Sequence, residues 1–236
     1  MRRILKVVRI ICVAVLACVV GFLAWLYFST GDLPSVSQLG SFKGDSEPEA
    51  QLQSCDGPEQ TIAVVPKERL GNYTIASLIA AEGKPDVRSP FIELFLPDEG
   101  RHTVPYQLQL ARSLMCPSRL LKRQFQELRL ANAINRTFDE DDILTIYLNR
   151  VYLGPNVYGI QAAAKRYLEK DASDMTLEES AAMVAMIRSP RIYSPLSHPD
   201  RAAQRRNSIL DEMVVEGSVS YADADRAKAA QIHFLE

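Results

Sequence analysis

Cysteine, histidine and tryptophan are scarce in this 236-residue chain, at four, three and one copies. Cys12 and Cys18 fall in an apolar run, which leaves Cys55 and Cys116 as the only pair for a bridge in an oxidising compartment, so a disulfide scaffold is excluded. His102, His198 and His233 are scattered and share no ligand spacing with the cysteines, which excludes an ordinary zinc cluster. No internal repeat is found. A global positive charge is also missing: the net charge is −2, and beyond residue 9 the chain carries 23 basic against 29 acidic residues. That balance excludes a basic nucleic-acid binder, and no nucleic acid is expected as a partner.

What is present begins with Ile10 to Phe28, nineteen residues without a charge. As a helix this run is about 28 Å long at ~1.5 Å per residue, enough to cross a bilayer. Arg2, Arg3, Lys6 and Arg9 precede it and Asp32 comes after it. This asymmetry predicts an N-terminus in the cytoplasm and the rest of the chain outside. Trp25 and Tyr27 stand where an outer interfacial belt would lie. The run is long for a cleaved signal peptide and no small-x-small site comes after it, so residues 1–29 read as a basic flank and an uncleaved signal anchor. Residues 30–60 are rich in Ser, Gly, Pro and acids and read as a linker or stalk. Residues 61–236 have the length and apolar content of one packed domain.

That domain reads as mainly α. Thr61 to Val65 suits a short strand, and Tyr73 to Glu82 a helix ended by Gly83-Lys84-Pro85. Helices are expected next over Val104 to Leu114 and Pro117 to Asn135, the second with one stripe of Leu121, Phe125, Leu128, Ala131 and Ile134. Asp139 is placed to cap the next helix, with Glu140, Asp141 and Asp142 complementing its dipole. A turn at Gly154-Pro155-Asn156 precedes helices over Tyr158 to Glu169, Thr176 to Arg188 with a Thr176/Glu179 capping box, Asp200 to Glu216 and Tyr221 to Ala230.

Two carboxylates are placed unusually. Glu82 ends its helix at the mouth of a loop, where a negative charge opposes the macrodipole. Glu127 lies four residues after Arg123, so the two share a helix face, an arrangement that is most often a surface ion pair. From Arg101 to Arg136, however, seven basic residues stand against Glu127 alone. A solvated face normally mixes its charges; a local excess of arginine in an acidic chain suits an anionic ligand, phosphate or diphosphate in particular.

The stretch from Ile143 to Leu210 resembles the second half of a family 51 glycosyltransferase domain, the peptidoglycan transglycosylase module of penicillin-binding proteins. The resemblance is carried by Tyr147-Leu148-Asn149, by Arg205-Arg206-Asn207-Ser208-Ile209-Leu210, and by Arg123-Gln124-Phe125-Gln126-Glu127 with Gln124 in the place of a lysine. Leu78 to Glu82 is similar to the approach to the family's catalytic glutamate, with Gly83 where the family has Asp. Gln109-Leu110-Ala111-Arg112 is similar to the end of its Gln-Gln-Leu-Ala-Lys motif.

The resemblance implies a lysozyme-like helical domain behind a single transmembrane helix, on the extracytoplasmic side of a bacterial inner membrane. It implies an enzyme that polymerises lipid II into glycan strands and releases undecaprenyl diphosphate. Glu82 and Glu127 would be catalytic, the first as general base and the second arranging cations, or a metal ion, near the diphosphate. Gln109, Arg112, Arg123, Asn149, Arg205 and Arg206 would bind substrate. A divalent cation, Mg or Mn, is an optional cofactor. Lipid II, the nascent strand, the membrane and other cell-wall synthesis proteins are the implied partners. No Ser-x-x-Lys or Lys-Thr-Gly occurs, so no transpeptidase centre is expected. Two other readings stay open: an inactive relative that binds lipid II or glycan or scaffolds cell-wall enzymes, and a lysozyme-like hydrolase using two carboxylates.

Overall fold

A computed structural model describes residues 2–28, 33–45, 49–52, 59–84, 106–115 and 121–235. The chain is mainly helical. Helix α1 (Arg2–Phe28) precedes a 3-10 helix (Val36–Lys43), strands β1 (Glu49–Leu52) and β2 (Gln60–Ala63), and helices α2 (Asn72–Glu82), α3 (Tyr106–Ser113), α4 (Leu121–Thr137) and α5 (Glu140–Arg150). A two-stranded hairpin, β3 (Tyr152–Gly154) and β4 (Val157–Tyr158), leads to α6 (Ile160–Leu168), α7 (Leu177–Ile187), the short α8 (Pro190–Tyr193), α9 (Pro199–Val215) and α10 (Tyr221–Ala229). Each helix expected from the sequence between residues 73 and 230 has its counterpart here.

The predicted start signals are made in atoms. Asp139 Oδ1 accepts the Asp142 N–H at 2.8 Å and opens α5. At the start of α7 the Thr176 and Glu179 side chains each accept the other's backbone N–H, at 3.5 and 2.9 Å. Helix α7 is the centre of the core. Ala181 to Met186 are all buried, so it is apolar all round rather than along one stripe. Helices α2 and α9 pack against it and against each other. Small polar side chains let them come close: Thr74 of α2 lies 3.3 Å from the Ser180 hydroxyl, and the Ser77 hydroxyl donates to the Met213 sulfur at 3.3 Å.

The stretch expected to be a stalk is in part folded structure, which corrects the 30–60 boundary. Leu39 and Phe42 of the 3-10 helix are buried in the main core, and Ala50 and Leu52 of β1 are buried where β1 pairs antiparallel with β2, Glu49 opposite Ala63. The polar composition hid four apolar residues spaced so that each points inward. The tie that holds this part on is Asn149. Its amide N–H groups donate to the carbonyls of Phe42 and Val65, both at 2.8 Å, and its oxygen accepts the Val65 N–H at 3.1 Å. Gly159 (φ 82) passes so near that a Cβ there would lie 2.6 Å from the Asn149 carbonyl oxygen.

The expected anchor coincides with α1, 27 residues long, whose Ile10, Val13, Leu16, Val20 and Trp25 are exposed. Side chains of this helix are described over 9–25 only, and among the described residues no helix is long and apolar enough to cross a membrane. The expected Cys55–Cys116 pair, together with His102, lies outside the described residues.

Candidate functional site

Helix α3 is the bar on which the site is hung. Its first residue, Tyr106, is buried at the end of α2, and the Tyr106 hydroxyl donates to the carbonyl of Gly83 at 2.8 Å, next to Glu82. Gln109, one turn on, accepts from the Tyr147 hydroxyl of α5 at 2.8 Å. Arg112, a further turn on, donates through Nε to Glu127 of α4 at 3.0 Å. Residues 106, 109 and 112 recur at three-residue spacing on one side of the helix and span about 9 Å at ~1.5 Å per residue. The rings of Tyr106 and Tyr147 meet edge to face with centroids 5.0 Å apart, which fixes α3 against α5.

The Glu127 end is an ion cluster. One carboxylate oxygen accepts from Arg123 Nε at 2.8 Å, the other from Arg112 Nε at 3.0 Å. Arg123 and Glu127 are each only 8% exposed, so the pair expected at i and i+4 is not a surface pair. Arg123 also donates to the Met115 carbonyl at 3.0 Å and is committed inside the protein. Arg112 differs: its side chain is 48% exposed, and it is the cation of this cluster that reaches solvent. A metal ion does not fit at Glu127, because both of its oxygens face guanidinium groups. Among the described residues no group of three His, Cys, Asp or Glu is arranged to hold one.

The Glu82 end is built differently. Burial raises the Glu82 pKa above the ordinary 4.5, and the nearby Arg205 and Arg188 pull it back only in part. Arg205 donates to the Ala81 carbonyl at 3.3 Å. Burial, with the Glu82 charge nearby, also pushes both tyrosine hydroxyls, Tyr106 and Tyr147, well above the ordinary range, so both stay protonated donors.

The structure thus brings together Arg112, Arg123 and Glu127 at one end of α3 and Glu82 and Arg205 around the other, with Gln109 between them. It does not bring in Asn149 or Arg206, and both expectations are corrected. Asn149 is 0% exposed with its amide spent on backbone. Arg206 is 9% exposed and holds the end of α10 through the Lys228 and Ala230 carbonyls at 2.8 and 3.4 Å, as well as Asn207. Sequence reasoning did not single out Tyr106, Tyr147 as a site residue, or Arg150. Arg150 is buried over the Phe42 ring, 4.4 Å from its centroid, and burial lowers its pKa to about 10. Only the neighbourhood of Tyr147 to Asn149 hinted at it. A cavity of about 560 Å³ along Gln204, Asn207 and Asp211 lies on α9, and none of the site's carboxylates line it.

Residues 99–214 match the family model described as transglycosylase. Penicillin-binding protein 1A of Aquifex aeolicus (strain VF5) is 42% identical over 113 residues, 48% of this chain and 16% of that protein. Penicillin-binding protein 1A/1B of Bacillus subtilis (strain 168) is 36% identical over 135 residues, covering 57% and 15%. Penicillin-binding protein 1A of Escherichia coli (strain K12) is 37% identical over 126 residues, covering 53% and 15%. The chain therefore aligns with about a sixth of the length of these relatives. A crystal structure of penicillin-binding protein 1A from Haemophilus influenzae aligns with 80% of this chain and 21% of that one at 22% identity, with a TM-score of 0.47. Gln109, Arg112, Arg123 and Glu127 lie inside the matched segment, as do Asn149, Arg205 and Arg206, and Glu82 lies before it. Over residues 99–214, the chain is similar to the transglycosylase family.

Proposed function

We propose that this chain is a membrane-anchored peptidoglycan glycosyltransferase that extends glycan strands from lipid II. The single observation that carries the reading is the placement of two unlike sites at the two ends of one helix. A carboxylate with a raised pKa stands at an open helix end, and a half-exposed arginine stands over a buried ion cluster about 9 Å along α3. A lysozyme-like helical domain is part of the same reading.

Glu82 is the general base. It takes the proton of the acceptor's 4-hydroxyl, the oxygen bonds to the donor's anomeric carbon, and the bond to undecaprenyl diphosphate breaks with its electron pair. A base whose pKa is raised toward the working pH is better matched to this task than an ordinary carboxylate, and such assistance is worth about 10²–10⁴-fold. The leaving diphosphate gathers negative charge, which Arg112 meets with the exposed part of its planar fork. Arg123 and Glu127 act behind it, holding Arg112 in place. Gln109, kept in orientation by Tyr147, faces the substrate between the two ends. The exposed apolar side chains of α1, with Arg2, Arg3 and Lys6 before them, suit an anchor that keeps the enzyme at the surface where a lipid-linked substrate resides.

A second reading, an inactive relative that binds lipid II or glycan, is favoured by one observation: the buried Arg123 is spent within the protein, which leaves Arg112 as the exposed cation of the cluster. The test is incubation of the detergent-solubilised protein with lipid II, with and without a divalent cation, beside Glu82→Gln and Glu127→Gln. Polymer from the wild type and none from Glu82→Gln is expected. A folded wild type that binds lipid II without forming polymer would establish the second reading, and shortening of preformed glycan would point to a hydrolase.

A further inference from the structure

We propose that Tyr106 is a positioning residue for Glu82, acting through the Gly83 peptide next to it. The inference rests on Glu82 serving as the base. The last carbonyls of a helix have no partners within it. Around Glu82 they are pinned from other helices: Ala81 by Arg205 of α9 at 3.3 Å, and Gly83 by the Tyr106 hydroxyl of α3 at 2.8 Å. The same hydroxyl lies 3.3 Å from the Leu78 carbonyl, but it has one proton to give, and the shorter contact is with Gly83.

Gly83 adopts φ 83 and ψ 172, a conformation that glycine alone adopts freely. Among the described residues, a Cβ at Gly83 would meet nothing within 4 Å. Its N–H closes the last bond of the helix, to the Ile79 carbonyl at 2.6 Å, and the hydrogen bond from Tyr106 fixes its carbonyl on the outer side. Tyr106 is itself held rigidly, 3% exposed and edge-on to Tyr147, whose hydroxyl is tied to Gln109. The orientation of Glu82 is thereby coupled to the same helix that carries Gln109 and Arg112. Among the described residues, the charged and titratable groups that bear on this corner are Arg205 from α9, Arg188 from the end of α7, Tyr147 from α5, and Glu216, whose charge acts on Tyr106.

Tyr106→Phe removes the hydroxyl and keeps the ring and its contact with Tyr147. In the full chain we expect lipid II turnover to fall about tenfold, less than the ~10²-fold that a full ~1 Å misplacement of a reacting group can cost, with KM changed less than about twofold. The Glu82 carboxyl titration, observed by carbon NMR, should move down toward the ordinary glutamate value as the released turn admits water. A folded Tyr106→Phe protein with both quantities unchanged overturns the proposal. Should that variant fail to fold, Gly83→Ala strains the same turn without touching Tyr106, and an unmoved Glu82 titration there overturns it equally. The base reading fails separately: full turnover by Glu82→Gln sinks that reading, and the NMR result still decides whether Tyr106 positions the side chain.

Discussion

The two ends of α3 each meet a glutamate, and the surroundings of the two differ. Glu127 is fixed through its own carboxylate, with a guanidinium on each oxygen. Glu82 is fixed through its backbone, by bonds to the carbonyls of Ala81 and Gly83, while its carboxyl faces a corner where burial raises the pKa. With a guanidinium on each oxygen, Glu127 is an electrostatic brace. A carboxyl whose pKa burial raises, as at Glu82, takes a proton more readily. The same residue type, a few residues from arginine in one place and beside arginines of other helices in the other, thus serves as an electrostatic brace and as the candidate base.

This contrast is broken most severely by Glu82→Gln. The expected loss in lipid II polymerisation is about 10²–10⁴-fold, with a thermal midpoint close to that of the wild type because glutamine keeps the shape and polarity of the side chain. An equal loss in stability would mean that Glu82 is a brace as well. Asn149→Ala is the control outside both ends. It strands a buried N–H and two carbonyls, and urea unfolding should show a loss of about 3 kcal/mol. Gly159→Ala should lower stability in the same direction by pushing on the same peptide. Glu127→Gln comes next, at about 2 kcal/mol by the same measurement. This is less than a fully buried pair would cost, since Arg112 is half exposed. A stability unchanged by Glu127→Gln would erase the distinction between the two ends.

The smallest effect is in pH. Folding raises the Glu82 pKa, so the folded chain keeps that proton to a higher pH than the unfolded chain does. Stability is therefore lost as pH rises from the unfolded value through the folded one. Glu82→Gln, which has no proton to lose, should gain stability relative to wild type as pH rises above the ordinary glutamate value of 4.5, measured as the difference between paired urea titrations. A constant difference would mean that the carboxyl is not shifted.

The helices were legible in the sequence because their signals are local. Asp139 and Thr176 cap the helices that begin after them, Gly83 stops the one that ends before it, and a 3.6-residue stripe needs only neighbours to be seen. The Arg123–Glu127 pair was legible for the same reason, though its burial was not. Asn149 and Arg206 were placed at the substrate by resemblance, yet the partners that occupy them come from residues 42 and 65 and from residues 228 and 230, and no local pattern announces those contacts. The fold of 36–45 and 49–52 was missed because its few inward residues are diluted by polar ones, and only the core that receives Leu39 and Phe42 reveals the spacing.

The sequence by itself determined the order and ends of the helices, the excess of arginine between 101 and 136, and the two glutamates worth watching. All of these come from propensity, capping and charge along the chain. Tertiary structure alone decided which arginine faces water, which asparagine is sealed inside, and that Tyr106 grips the turn after Glu82. The reason is physical. Burial and hydrogen-bond partners depend on which distant segments share a face, and a side chain's chemistry depends on what those segments leave it free to do.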